Sequence, residues 1–139
     1  IGGGDAAATA AIHLTEFANK IYLAYRDAYN WEPSWDEQIE KSGKIEKIKM
    51  NAVKEIKGEQ KVSEIILDVD GTERELNAQG VFIEVGTTPG VAIAQGLGVE
   101  LDEQSYIKID QTQATNMENV FAAGDVTTGS NKFRQIITA

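Results

Sequence analysis

The residues whose types and spacing could do chemistry stand first in the chain. Ile1-Gly2-Gly3-Gly4-Asp5-Ala6-Ala7-Ala8 sets small residues as Gly2-x-Gly4-x-x-Ala7, the pattern of a glycine-rich turn between strand and helix in dinucleotide-binding βαβ units. Gly2 allows the tight turn, Gly4 lets the backbone approach a pyrophosphate, and Ala7 keeps the helix near the sheet. Free amides at the helix N-terminus then point at phosphate oxygens, aided by the helix dipole. Gly2, Gly3, Gly4, Asp5 and Ala6 are therefore candidate nucleotide contacts. The alternative is a glycine turn that merely opens an alanine-rich helix.

About twenty residues further on, such units meet the adenosine ribose. Tyr25, Arg26 and Asp27 stand there. Arg26 suits a 2′-phosphate and can stack on adenine, whereas Asp27 can accept from a free ribose hydroxyl. A charged turn at a strand end is the competing reading.

Other chemistries are ruled out by what the chain lacks. It has no cysteine and one histidine, His13, which leaves no thiol redox centre, thiolate zinc site or histidine metal cluster within these residues. No Ser–His–acid set has geometric support. Neither catalytic nor metal-binding residues are assigned, and any redox chemistry must be carried by a bound cofactor. A net charge of −9 argues against nucleic acid or an anionic membrane as partner. The composition, 42% apolar and 25% charged, is that of a soluble globular protein. No apolar run is long enough to cross a bilayer and no secretory signal is visible, so a cytoplasmic location is expected.

These groups need elements to hold them, and 139 residues allow one domain or parts of two. A first helix is expected from Asp5 to about Ala18, burying Ala7, Ala10, Ala11, Leu14, Phe17 and Ala18, with His13 solvated beside Glu16. Only Ile1 precedes the first glycine, where a strand of about five or six residues would be needed. The expectation is that the chain has been cut or that the strand is supplied from elsewhere. Lys20 to Tyr25 reads as a second parallel strand. Ser34 with Glu37 forms a capping box, opening a helix that ends near Ser42 with Gly43 in the left-handed cap position. Trp35 and Ile39 share a face, and Tyr29 and Trp31 read as packing residues.

From Ile45 the hydrophobic period changes. Ile48 and Met50 alternate with lysines, and Val53 to Ile56 is a short strand. Val62 to Val69 and Thr72 to Leu76 flank Asp70-Gly71, a strong hairpin signal, so an antiparallel ribbon is inserted. Val81 to Val85 then returns as a strand of the parallel sheet. Gly86 opens the loop at its carboxyl end, where open α/β sheets bind ligands. Val91 to Gln95 is a helical turn, Tyr106 to Asp110 and Val120 to Ala123 are short strands, and Phe133 to Ala139 begins a helix. The fold class expected is α/β, a Rossmann-like βαβ nucleotide-binding domain with the ribbon inserted, followed by part of a second α/β domain.

Taken in order, these pieces resemble the thioredoxin reductase-like, FAD- and NAD(P)-dependent pyridine nucleotide-disulfide oxidoreductases. The resemblance covers nearly the whole chain and rests on IGGGDAA, GVFIEVGTTP and, most specifically, NVFAAGDVTTGSNKFRQIITA. It implies that Asp125, following Gly124, hydrogen-bonds the ribityl chain of FAD. It also implies that Arg134 and Gln135, with Ile136, approach the pyrophosphate and flavin ring. Residues 1–86 then form the NAD(P)-binding domain and residues 87–139 the returning part of the FAD domain. The other FAD half and a redox-active Cys-x-x-Cys would precede Ile1, so this chain alone is not expected to reduce a disulfide. The implied parent is a homodimer passing hydride from NADPH or NADH to FAD, then electrons to a thioredoxin-like or other disulfide protein.

One departure concerns the nucleotide. NADPH-using relatives carry His-Arg-Arg at the end of the second strand and another Arg shortly after. Here the run is Tyr25-Arg26-Asp27, and no Arg follows in residues 28–35. One planar, charge-assisted fork is lost, and Asp27 would repel a 2′-phosphate, so a small NADPH/NADH affinity ratio is expected. Three other readings stay open. The flavoprotein of alkyl hydroperoxide reductase shares a GD-x-TT run and a Gln-Ile pair. The thioredoxin reductase-like ferredoxin–NADP reductases normally lack the Arg-Gln pair. A non-catalytic nucleotide-binding module is the third.

Overall fold

Alanines set the first packing layer. In a computed structural model that describes residues 1–86 and 88–128, helix α1 (Asp5–Leu14) buries Ala7, Ala8 and Ala11. These short side chains let α1 approach strand β1 (Ile21–Tyr25), whose Ile21 and Leu23 join the same core. The helix ends at Leu14 rather than near Ala18. The amides of Thr15 and Glu16 donate to Ile12 and His13 carbonyls, the tight spacing that closes a last turn. Phe17 is consequently 74% exposed, not buried, and its ring meets His13 edge-on. His13 itself is exposed, 3.8 Å from Glu16.

Helix α2 (Pro33–Ser42) starts from Glu32, without a side-chain cap. The expected Ser34/Glu37 capping box does not form. Proline at the first helical position lacks the N–H that needs capping and already has helical φ, so Ser34 falls inside the helix. Gly43 ends the helix at φ 63°, as the sequence predicts. Strand β2 (Ile45–Lys49) runs parallel to β1, from Ile21↔Ile45 to Tyr25↔Lys49.

Alternation along the two strands sorts their side chains between two cores. Ile21, Leu23, Trp31 and Ile39 pack on the helical side. Ala24, Ile48 and Met50 meet Ile65, Leu67 and Leu76 on the other. Those last residues belong to the antiparallel ribbon of β3 (Ala52–Lys57), β4 (Glu64–Val69) and β5 (Thr72–Asn77), ordered β3-β4-β5. Asp70 and Gly71 have φ 52° and 80°, as a type I′ hairpin requires. Glu46 on β2 pairs with Lys20 and with Arg74 on β5, which ties ribbon to sheet.

Residues 81–85 are not a strand; Phe82, Ile83 and Val85 are each more than half exposed. A strand needs a ladder, and among the described residues only Ile1 offers backbone partners. Its amine donates to the Phe82 carbonyl at 2.6 Å, and the Glu84 amide donates to the Ile1 carbonyl at 2.7 Å. On the other side the Gly2 amide donates to Ala24 at 2.9 Å.

The chain divides into two compact units, Ile1–Gly86, just described, and Thr87–Ala139. The second gathers Val91, Val99 and Ile107 beside a short helix α3 (Ala92–Gly96). The expected strands at Tyr106–Asp110 and Val120–Ala123 shrink to single bridges, Leu101↔Ile107, Ile107↔Thr127 and Ala114↔Phe121. Aspartates shorten them by bending the backbone into turns. Asp102 accepts from the amides of Gln104 and Tyr106. Asp110 accepts from Thr112 and the Ala114 amide, and the Thr112 bonds chiefly hold its carboxyl below the usual range. The helix expected over residues 133–139 lies outside the described residues. The observed class is α/β, with a βαβ unit carrying the ribbon.

Candidate functional site

Crowding decides the first glycine. A Cβ on Gly2 would sit 2.2 Å from the Glu84 carbonyl oxygen and 2.9 Å from the Ala7 Cβ. At Gly3 and Gly4 the protein leaves ordinary room, the nearest atoms being the Ala28 oxygen at 3.6 Å and Asn30 Oδ1 at 3.5 Å. Among the described residues, then, only Gly2 of the three is demanded by the protein's own atoms.

The loop of residues 28–32 clamps the turn. The Asn30 amide donates to the Gly3 carbonyl at 2.7 Å, and the Glu32 amide donates to the Asp5 carboxylate at 2.8 Å. Asp5 thus spends its side chain on the loop, leaving its amide as its contribution to a ligand. The Gly4 carbonyl accepts from Ala7 and Ala8, and no side chain caps the start of α1. Ala6, exposed, stands in that first turn. An uncapped helix N-terminus with a positive dipole end therefore lies behind a glycine turn, beside the carboxyl end of β1.

Tyr25, Arg26 and Asp27 adjoin it. Tyr25 meets Tyr29 and Trp31 edge-on at 5.3 and 5.7 Å, and Tyr29 stacks on Trp31 at 4.1 Å. Trp31 donates its indole N–H to Asp36 at 3.0 Å. Lys47 reaches Asp36 at 3.1 Å, pairs with Glu40, and lies 5.3 Å from the Tyr29 ring centre. The aromatics are locked to one another and to α2, in keeping with a packing role. Arg26 and Asp27 are exposed, the latter at φ 49°.

The Trp31 hydrogen bond, followed by Lys47, holds the Asp36 carboxyl below its ordinary range. The bond to Glu40, followed by Asp36, pushes Lys47 well above its own. Because folding lowers the Asp36 pKa, its stabilising effect is present above the unfolded value of about 3.9. That effect is lost as pH falls from there through the lower folded value. Asp36→Asn should cost about 1 kcal/mol at neutral pH, and the gap to wild type should close below pH ~4. Thermal melts from pH 7 to 3 measure this; a gap that stays constant with pH would refute it.

Gly86 has φ 86° with open space around it, a left-handed position that suits glycine. In the second unit Gly124 turns at φ 90°, and Thr127 pins the turn, its hydroxyl donating to the Gly124 carbonyl at 2.8 Å. Asp125 is exposed, and its carboxylate engages no partner among the described residues. Arg134, Gln135 and Ile136 lie outside those residues.

A cavity of about 770 Å³ lies in the first unit, lined by residues such as Ala11, Leu14, Ile21, Leu67 and Phe82. Its walls are largely aliphatic and run along β1 as far as Ala24, with Ile1 and Ala7 beside the glycine turn also in the lining. Among the described residues no cluster of acidic and histidine side chains can hold a metal ion. No helix among them is long and apolar enough to cross a membrane. Sequence reasoning missed Asn30, Glu32 and the Asp36–Lys47 pair, since their roles depend on partners remote in the chain.

The profile of the pyridine nucleotide-disulphide oxidoreductase family matches residues 1–139. A thioredoxin reductase of Listeria innocua is 38% identical, with all of this chain and 44% of that protein aligned. One of Spironucleus barkhanus is 37% identical over 90% of this chain and 42% of its own length. Among solved structures, T. acidophilum thioredoxin reductase superposes with a TM-score of 0.84 at 35% identity, covering 99% of this chain and 45% of that one. Lactococcus lactis thioredoxin reductase gives 0.87 at 33% identity, covering 99% and 46%. The chain thus spans less than half the length of these relatives.

Proposed function

The chain belongs to the pyridine nucleotide-disulphide oxidoreductase family, and from that premise we propose that it serves in a flavoprotein of the thioredoxin reductase type. In this reading residues 1–86 bind NAD(P)H and residues 87–139 contribute to an FAD site. One observation carries it: the uncapped N-terminus of α1 behind the Gly2–Gly4 turn, where a helix start favours a diphosphate. Gly3, Gly4, Asp5 and Ala6 would offer amides to the diphosphate, while Gly2 keeps the turn tight. Loop residues Asn30 and Glu32 hold that turn in place, so little ordering is left to be done on binding.

The second unit suits a flavin's polyol. Asp125 presents an acceptor with no competing partner among the described residues, on a turn fixed by Thr127. Arg134, Gln135 and Ile136 complete the FAD contacts in this proposal, and Gly86 belongs to the ligand-facing loop. FAD, when bound, relays two electrons between a nicotinamide nucleotide and a disulfide. This sequence has no cysteine, so thiol exchange is not assigned to its residues. A cytoplasmic homodimer acting on a thioredoxin-like disulfide protein completes the proposal, the acceptor being supported by the names of the Listeria and Spironucleus relatives.

Titration with NADH, read by quenching of tryptophan fluorescence, tests the nucleotide site. We expect saturable binding that ADP displaces and adenosine does not, because the diphosphate supplies the main contact. Equal displacement by adenosine, or none by ADP, would overturn the assignment.

A further inference from the structure

We propose that this site selects NADH over NADPH, with Asp27 accepting the adenosine ribose hydroxyls. The inference rests on the dinucleotide reading above. Residues 25–29 are tied to the diphosphate seat: the Gly2 amide donates to Ala24, and a Cβ on Gly3 would lie 3.7 Å from both Tyr25 Cβ and Tyr29 Cα. The adenosine end of a dinucleotide bound there reaches the end of β1.

The charges at that end decide between a hydroxyl and a phosphate. Asp27 is exposed in a left-handed turn, φ 49°, a conformation aspartate tolerates better than most residues. Its carboxylate has no hydrogen-bond or ion-pair partner among the described residues. Two carboxylate oxygens can accept from both hydroxyls of a ribose diol; a 2′-phosphate offers them no such donor and adds like charge.

The cations do not outweigh it. Lys47 lies near Tyr29 but is already committed to Asp36 and Glu40. Arg26 is exposed and free of ion pairs among the described residues, yet it precedes Asp27 directly, so the two fields partly cancel. Lys49, opposite Tyr25 in the strand register, is also exposed. Against these, residues 26–41 carry two cations and five carboxylates, namely Asp27, Glu32, Asp36, Glu37 and Glu40. Asp36 and Glu40 are paired with Lys47, and Glu37 with Lys41. The carboxylates of this stretch without an ion pair among the described residues are therefore those of Asp27 and Glu32, and Asp27 is the one at the end of β1.

The test measures NADH and NADPH affinities for the 139-residue chain and for Asp27→Asn, which keeps the left-handed turn and removes the charge. Wild type should bind NADH at least tenfold more tightly. The variant should weaken NADH and strengthen NADPH, bringing the two within about threefold, with its melting temperature unchanged. NADPH binding as tightly as NADH to wild type would overturn the proposal while leaving the nucleotide site intact. A preference that survives in Asp27→Asn would overturn the role of Asp27. Binding of neither nucleotide would remove the site itself, and this inference with it.

Discussion

Gly2→Ala should destabilise the first unit by about 3 kcal/mol, at the upper end of ordinary overpacking. The new methyl carbon would lie 2.2 Å from the Glu84 carbonyl oxygen and 2.9 Å from the Ala7 Cβ. The first neighbour is backbone and the second is anchored on α1, so neither can swing aside as a flexible side-chain end would. Relief has to come from moving the Gly2 backbone, which breaks its bond to Ala24 and displaces the glycine turn. Such a loss is a large share of the roughly 5–15 kcal/mol that stabilises a typical domain. Urea unfolding would show it as a lower midpoint. Gly4→Ala is the informative companion, because its nearest neighbour would be 3.5 Å away. It should unfold within about 0.5 kcal/mol of wild type yet bind NADH at least tenfold more weakly if a diphosphate packs on that backbone. Equal destabilisation by the two substitutions would contradict the steric difference between Gly2 and Gly4.

Leu67→Ala should cost a comparable amount, about 3 kcal/mol, within the range for deleting a buried leucine. Leu67 is 1% exposed on the central ribbon strand, in the core it shares with Ala24, Ile48 and Met50. Its neighbours come from both the parallel pair and the ribbon, so the lost volume is bordered by two backbones that cannot easily close on it. The measured quantity is again the unfolding midpoint, with Ile56→Ala as the control. Ile56 is 43% exposed on the edge strand and should cost less than about 1 kcal/mol. Should the two substitutions prove equally mild, the ribbon is not packed into the core as described.

Much of the candidate nucleotide site was legible because its logic is local. Small residues at Gly2, Gly4 and Ala7 announce a strand-to-helix turn from spacing alone, and Arg26 and Asp27 follow at the distance where a ribose would be met. The loop that holds the turn was not legible. Nothing about Asn30 or Glu32 in sequence says that their amides bond Gly3 and Asp5, since a backbone amide is available at almost every residue. The packing role of Trp31 follows from its type, but its bond to Asp36 and that carboxylate's hold on Lys47 join residues from a loop, a helix and a strand.

By itself the sequence determined the features governed by backbone dihedrals over a few residues. These are the hairpin at Asp70-Gly71, the left-handed stop at Gly43, the change of period after Ile45, and the alanine face of α1. Tertiary structure alone decided which apolar runs became strands. Val81–Val85 has strand-like composition, as does Tyr106–Asp110, which local aspartate turns also shorten, but a strand is completed by hydrogen bonds to another segment. Ile1 and a few isolated bridges are all that the described residues offer them. Dihedral preference is written into each residue, whereas a ladder, an ion pair or a clamped turn exists only once distant parts of the chain have met.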